Sequence, residues 1–359
     1  MEHKPVLAGL TLSALESQLS DYPSFRARQI YQWICSGSES FDTMSNLPVS
    51  LRKELDEKYR LFAGTVSSKL TDTDGTVKLG ITLGDEAVVE AVILGDGEGR
   101  KTACISTQAG CQAGCRFCKT GSLGFMRNLT AAEIAGQFLL LRQAASAHED
   151  DAREITHIVV MGMGEPLLNL GELRKALDFI MEESGINISK RRITVSTCGI
   201  EKGIRSLADE GPDIRLALSL TTARQELREQ LMPLAVTNPL PLLRQALVDY
   251  QYKRERRITL EVPLLGGVNT SVIDAEAVAD FIHHGGNNGK KLHAVVNLIP
   301  WNPVEGLDVD GVPLRSPTTQ EITAYASALA AHNIKTTMRF KKGASISGAC
   351  GQLGVVRAQ

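Results

Sequence analysis

From about residue 103 onward, short apolar runs alternate with helical patterns for about 240 residues, and nothing else in the chain limits its fold so sharply. Ile155–Met161, Arg192–Ser196, Arg215–Leu220, Ile258–Pro263, Ala294–Ile299 and Lys335–Phe340 read as strands. Between them, 130–147, 171–184, 200–210, 224–232 with 240–252, 272–284 and 318–332 read as helices. Continuous apolar runs such as Ile158-Val159-Val160 suit parallel strands covered on both faces. Strand–helix alternation of this kind means βαβ units, hence an α/β chain. Counting Thr102–Ser106 as the first strand gives about six units, fewer than a complete eight-unit barrel. A partial barrel or an open sheet is expected, with its chemistry at the C-terminal ends of the strands.

The two preceding stretches differ. Residues 1 to about 60 read as a small bundle of three or four helices, carrying Phe25, Ile30, Trp33, Ile34, Phe41, Met44, Leu47, Leu51 and Leu55 at helical spacing. Leu12, Leu15, Leu19 and Tyr22 form a short amphipathic helix that Thr11 would cap, rather than an export signal. Arg26, Arg28, Arg52, Lys53, Lys58 and Arg60 make this part basic. Turn signals at Asp74-Gly75, Gly84-Asp85 and Asp96-Gly97 separate β-rich runs at Val77–Leu83, Ala87–Leu94 and Thr102–Ser106, which suggests a hairpin meander. The expected division is 1–60 helical, 61–101 hairpin extension, 102–343 barrel and 344–359 a C-terminal tail.

Charge and cysteines narrow the chemistry. Lys and Arg number 39 against 41 Asp and Glu, a formal net charge of −2, so a uniformly basic nucleic-acid coat is excluded and any basic surface must be local. No apolar run reaches the roughly 18 residues of a membrane span, and the cytoplasm is the default. Seven cysteines cannot all pair within one chain. Cys35, Cys198 and Cys350 are scattered, whereas Cys104, Cys111, Cys115 and Cys118 crowd together, which points to a metal centre or redox chemistry.

The central motif is Cys111-Gln112-Ala113-Gly114-Cys115-Arg116-Phe117-Cys118, a C-x3-C-x2-C in the loop after the first barrel strand. Structural zinc prefers four ligands, usually as two separated pairs. Here there is no second C-x2-C, and His3, His148, His157, His283, His284, His293 and His332 offer no obvious fourth ligand. Three thiolates suit a [4Fe-4S] cluster with one iron left open, the arrangement that radical S-adenosylmethionine chemistry requires. Gly162-Met163-Gly164-Glu165-Pro166 follows the next strand, where glycines allow close backbone approach and Glu165 could accept from an ammonium group. Ser196-Thr197, Ser219-Leu220-Thr221 and Trp301-Asn302-Pro303 place hydroxyls and an amide at the same rim, although such residues also cap helices. A zinc-bearing RNA-binding module and a radical enzyme acting on a small molecule or protein are the rival readings.

These motifs resemble the RlmN/Cfr family of radical S-adenosylmethionine RNA adenosine methyltransferases. The resemblance lies in Cys104–Cys111 and on through Gly124–Leu129, in Gly162–Asn169, Arg191–Gly199, Val296–Pro303 and Ala349–Leu353, and in Phe25-Arg26-Ala27, Gln29 and Trp33. It covers nearly the whole chain in the right order. It implies a partial (βα)6 barrel with a helical N-terminal accessory domain and a β-hairpin extension. It implies that Cys111, Cys115 and Cys118 ligate a [4Fe-4S] cluster. Gly164, Glu165, Ser196, Ser219, Leu220, Thr221 and Asn302 would line the S-adenosylmethionine site, with two S-adenosylmethionine molecules used per turnover. Cys350 would accept the methyl group, Cys104 would resolve the adduct, and Glu90 would accept the ring proton. The substrate would be adenosine in 23S rRNA and tRNA, methylated at C2, or at C8 as the alternative. A monomer served by an electron donor such as flavodoxin or ferredoxin is implied too.

The family chemistry explains the two extra cysteines. Ring carbons of adenine are electron-poor and do not attack a sulfonium methyl, whereas a thiolate at Cys350 does. A radical formed on that S-methyl group can add to the ring, and Cys104 attacking the Cys350 sulfur then frees the product and leaves a transient disulfide. Cys35 and Cys198 are assigned to packing. The chain departs from the family at Ser219-Leu220-Thr221-Thr222, where many members carry Ser-Leu-His-Ala, at Lys119 in place of Ala, and at Ala344, Ser345 and Ser347 in place of acidic residues. Among the basic residues, Arg127, Lys341 and Lys342 are favoured as RNA contacts over Lys190-Arg191-Arg192, which precedes a strand.

Overall fold

The computed structural model describes residues 4–97, 99–146, 155–283, 290–339 and 341–354. The ends of the expected elements at 147, 284 and 340, the tail beyond 354, and His3, His148 and His284 lie outside the described residues.

Three helices open the chain: α1 (Leu12–Gln18), α2 (Ser24–Ser36) and α3 (Val49–Lys58). The Thr11 hydroxyl accepts from Ala14 N and so caps α1, as its position predicts. β1 (Gly64–Thr71), β2 (Val77–Leu83), β3 (Val88–Gly95) and β4 (Lys101–Cys104) follow as an antiparallel meander. The cysteine motif sits between β5 (Gln108–Gly110) and α4 (Lys119–Ser122), and β6 (Phe125–Asn128) pairs back on β5. The alternating part then runs α5 (Ala131–Ser146), β7 (Ile155–Val160), α6 (Leu170–Met181), β8 (Ile193–Thr197), α7 (Glu201–Glu210), β9 (Arg215–Ser219), α8 (Gln225–Leu231) and α9 (Leu240–Arg254). It ends with β10 (Ile258–Leu264), α10 (Val272–His283), β11 (Ala294–Pro300), the short pair β12 (Asp308–Val309) and β13 (Val312–Pro313), α11 (Thr319–Ala331) and β14 (Thr336–Met338).

Ten strands make one sheet in the order β1-β2-β3-β4-β7-β8-β9-β10-β11-β14. The meander half is antiparallel, and every pairing from β4 to β14 is parallel. β4 is therefore the joint: it pairs antiparallel with β3 and parallel with β7. Helices bridge each parallel step, the α/β arrangement expected from the alternation. No helix among the described residues is long and apolar enough to cross a membrane.

Burial follows the sequence pattern. α7 turns Gly203, Ile204, Leu207 and Ala208 inward, and full burial of a side chain such as Ile204 or Leu207 contributes about 1.5–3 kcal/mol. The N-terminal helices share the main core. Tyr31 of α2 meets Phe179 of α6 edge-on at 6.0 Å, and the Tyr31 hydroxyl donates to Glu182. Arg142 of α5 donates to the Cys35 carbonyl. Cys35 is buried there, a packing position as expected. A separate apolar cluster joins Phe117, Leu231, Met232, Ala235, Leu265 and Trp301, with Cys115, Cys118 and Cys198 against it.

Candidate active site

The cysteine loop is held from several sides. Cys111 N donates to Gly124 O at 2.8 Å, which ties the loop to the start of β6. Phe117 is buried, and its carbonyl accepts from Trp301 Nε1 at 2.8 Å. Gly121 cannot be replaced cheaply, since a Cβ there would stand 2.8 Å from Cys115 N and 2.7 Å from Cys115 O. Apolar packing around the loop thus fixes thiols that a solvent-exposed turn would leave free to move.

Cys111, Cys115 and Cys118 line one cavity together with Gly164, Glu165, Ser196, Ser219, Asn302 and Cys350. Gly164 has φ +100°, and a Cβ on it would lie 2.5 Å from Gln108 Cβ, so this backbone approach requires glycine. Glu165 is buried, accepting from Leu167 N at 3.0 Å and Cys198 N at 2.7 Å. Burial pushes its carboxyl above the usual range, against those two bonds. Leu220 and Thr221 are fully buried behind Ser219 and do not line the cavity. Thr221 holds a positive φ of 63°, and its buried hydroxyl has no hydrogen-bond partner.

The thiols suit a cluster. Burial pushes Cys111 up to about 12 and Cys115 well above the ordinary thiol value, so loading iron must release protons. Among the described residues, no three His, Cys, Asp or Glu side chains converge on a point that would hold a single ion. A cubane cluster takes each thiolate on a different iron, so three cysteines spread around a cavity fit it better than they fit zinc.

Cys350 lines this cavity and also a second, larger one that Cys104 lines. Both cysteines are free thiols. Cys104 is buried, and burial pushes its thiol up to about 12. The segment around Cys350 is tied down on both sides. Asn302 Nδ2 donates to Cys350 O at 3.1 Å, Lys119 N to Gly351 O at 2.8 Å, and Gln352 Nε2 to Pro303 O at 3.0 Å. Thr120 Oγ1 donates to Leu353 O at 2.5 Å.

Glu90 stands apart from both cavity walls. It is buried, pairs with Lys78 Nζ at 2.9 Å, and accepts from Gly354 N at 2.6 Å. The structure thus joins it to the tail that carries Cys350.

Several features were not read from the sequence. Cys198, assigned to packing, also lines the cluster cavity, and its N–H orients Glu165. Glu261 and Arg339 line it too; the one available signal for Glu261 was a lone carboxylate inside the apolar run Ile258–Leu264. Of the favoured RNA contacts, Lys341 and Lys342 line the larger cavity. Arg127 instead pairs with Asp85 at 2.6 Å and Glu133 at 2.8 Å, so it is not a free cation. Arg192, marked down because it precedes a strand, lines the larger cavity with Arg215 and Arg100.

Comparison with known proteins places these features in context. Residues 105–238 match the model of the radical SAM superfamily, and residues 7–61 match that of a ribosomal RNA large subunit methyltransferase N-terminal domain. A curated relative from Treponema denticola, named "Probable dual-specificity RNA methyltransferase RlmN", is 44% identical over 358 residues, covering 100% of this chain and 98% of its own. A "Dual-specificity RNA methyltransferase RlmN" from Nitratidesulfovibrio vulgaris is 41% identical over 355 residues, covering 97% of this chain and 93% of its own. The crystal structure of a radical SAM methyltransferase from Sphaerobacter thermophilus superposes with a TM-score of 0.89 at 36% identity, covering 97% of this chain and 99% of that one.

Proposed function

The chain belongs to the RlmN family of radical S-adenosylmethionine RNA methyltransferases, and from that premise we propose that it methylates C2 of an adenosine in 23S rRNA and in tRNA through a methylated Cys350. Its cofactors are a [4Fe-4S] cluster and S-adenosylmethionine. Cys111, Cys115 and Cys118 would hold the cluster; Gly164, Glu165, Ser196, Ser219 and Asn302 would hold S-adenosylmethionine, with Leu220 and Thr221 supporting that wall from behind Ser219. When bound, the pair supplies a methyl group and one-electron cleavage of a sulfonium.

The remaining work falls to the chain's own side chains. Cys350 takes the methyl group on sulfur and carries its carbon to the ring. Glu90 would accept the ring proton once the bond it takes from Gly354 N opens and the tail moves aside to let the base reach it. Cys104 attacks the Cys350 sulfur, breaks the bond from that sulfur to the carbon on the base, and forms a disulfide that must be reduced before the next turnover. Residues 1–60 would serve as an RNA-binding accessory domain and 61–101 as the hairpin extension; residues 102–343 would form the catalytic barrel, and 344–359 the tail that presents Cys350. A monomer in the cytoplasm, beside its RNA substrates and served by a flavodoxin- or ferredoxin-class donor, completes the reading.

The observation that carries this proposal is that Cys350 lines both cavities, one walled by the three loop cysteines and the other by Cys104. The test is anaerobic reconstitution with rRNA and tRNA substrates, followed by nucleoside mass spectrometry. Wild type should give 2-methyladenosine; Cys350→Ala should give none, and Cys104→Ala should accumulate a covalent protein–RNA adduct. 8-Methyladenosine as the product would refute the C2 assignment. Normal turnover by Cys104→Ala would refute its resolving role.

A further inference from the structure

Glu261 and Arg339 form an opposed pair in the cluster cavity that the chemistry above does not use. Glu261 lies mid-strand in β10, in register with Ser219 on one side and Asn297 on the other. It is 4% exposed. Its Oε1 accepts from Asn297 Nδ2 at 3.0 Å, while its buried Oε2 has no hydrogen-bond partner. A buried carboxylate oxygen left in this state is costly unless something fills the space before it. Arg339, just beyond β14, lines the same cavity as Cys350, and its Nη1 donates to Met161 Sδ at 3.6 Å. Among the described residues no carboxylate lies within 4.0 Å of its guanidinium, although Glu261 attracts it from farther off. One side of the cavity therefore offers an acceptor, and beside Cys350 stands a donor.

We propose that Glu261 and Arg339 read the Watson–Crick edge of the target adenine, Glu261 accepting from the 6-amino group and Arg339 donating to N1. Enzymes that act on a base unstack it and recognise it along this edge. Adenine presents a donor next to an acceptor there; guanine presents the reverse order at O6 and N1–H, and would meet two repulsions. Regiochemistry follows from the same contact. C2 is bonded to N1, so a base held by Arg339 brings C2 to the side of Cys350, while C8 lies on the far ring. This inference rests on the methyltransferase reading and deepens it, by naming what selects the base and the carbon.

The test uses the reconstituted full chain and three RNAs that differ only at the target nucleotide: adenosine, purine riboside (no 6-amino group) and 1-deazaadenosine (no N1). Wild type should methylate both analogues with kcat/KM lower by about ten- to a hundredfold. Glu261→Leu should fall to a similar level on adenosine and no longer distinguish it from purine riboside. Its Cys350 should still become S-methylated, as peptide mass spectrometry would show, which also establishes that the variant folds. Equal wild-type rates on adenosine and purine riboside would overturn the proposal. So would loss of Cys350 methylation in Glu261→Leu, since the carboxylate would then serve the adenine of S-adenosylmethionine instead. Failure of the family reading looks different: no methyladenosine on the natural RNA, with Cys350 chemistry absent in wild type as well. That result overturns both.

Discussion

Lys78 and Glu90 face one another from β2 and β3 with side chains only 10% and 5% exposed. Two charges so far from water are held by each other and by the backbone: Gly354 N donates to Glu90, and Lys78 Nζ donates to Ser347 O at 3.4 Å. A buried pair of this kind adds little net stability compared with apolar residues, but removal of one partner leaves the other charge uncompensated. Lys78→Met should therefore destabilise the chain by about 3–5 kcal/mol. Lys78→Met combined with Glu90→Gln should recover most of that loss. Urea denaturation of the two variants checks this, and a double variant as unstable as the single one would show that the loss is packing rather than charge. Neither partner was legible as half of a pair: Lys78 sits in a run that reads as an ordinary strand, and Glu90 was singled out through resemblance alone. The same holds for Arg339 and Glu261, whose partners come from distant segments. The thiols were legible because their spacing is local, with Cys111, Cys115 and Cys118 all within one loop.

Elements were legible where periodicity was strong. The parallel strands and their helices fall where the alternation predicts, with ends shifted by up to three residues; α7, expected over 200–210, runs Glu201–Glu210, and α6, expected over 171–184, runs Leu170–Met181. β1 was missed because seven of its eight residues are exposed, so Gly64–Thr71 shows no buried alternation to read. The β5–β6 hairpin was missed for another reason: its strands are short and are separated by the whole cysteine loop. The β1–β2 turn proves to have a second task. Asp72 accepts from Ser345 N at 2.9 Å and Asp74 from Gly343 N at 2.9 Å, which straps down the segment leading to Cys350. Where many family members have acidic residues in that segment, here the carboxylates come from the turn it lies on. The backbone bond from Ser345 holds the Asp72 carboxyl below its ordinary 3.8. A depressed carboxyl stabilises the strap above that ordinary value and loses the effect as pH falls through the folded value. The strap should thus be intact at neutral pH and loosen only in acid, below about pH 4. Asp72→Ala with Asp74→Ala should remove it at neutral pH. Hydrogen exchange of 343–350 should then rise while β7–β11 stay protected, and unchanged protection would show that the strap does not hold the tail.

At the scale of the whole molecule, the near-zero net charge conceals an uneven distribution of cations. Arg127, Arg174, Arg205 and Arg256 are engaged by carboxylates. Lys341, Lys342, Arg192 and Arg215 line the larger cavity, and no ion pair among the described residues is recorded for any of them. That cavity also reaches Cys104 and Cys350, so unneutralised positive charge and the reacting thiols share one opening. A polyanion bound there would displace counterions, whereas one bound at Arg127 would first have to compete with Asp85 and Glu133. Each phosphate contact adds about 0.7–0.9 to the steepness with which binding falls with salt. Lys341→Ala and Lys342→Ala should each weaken RNA binding and flatten the plot of log K against log salt by about that amount. Arg127→Ala should leave the slope unchanged. Fluorescence anisotropy with a labelled RNA over a salt series measures all three. If the lysine variants kept the full slope while Arg127→Ala lost it, the RNA would approach by the β6 side and not through the cavity shared by Cys104 and Cys350.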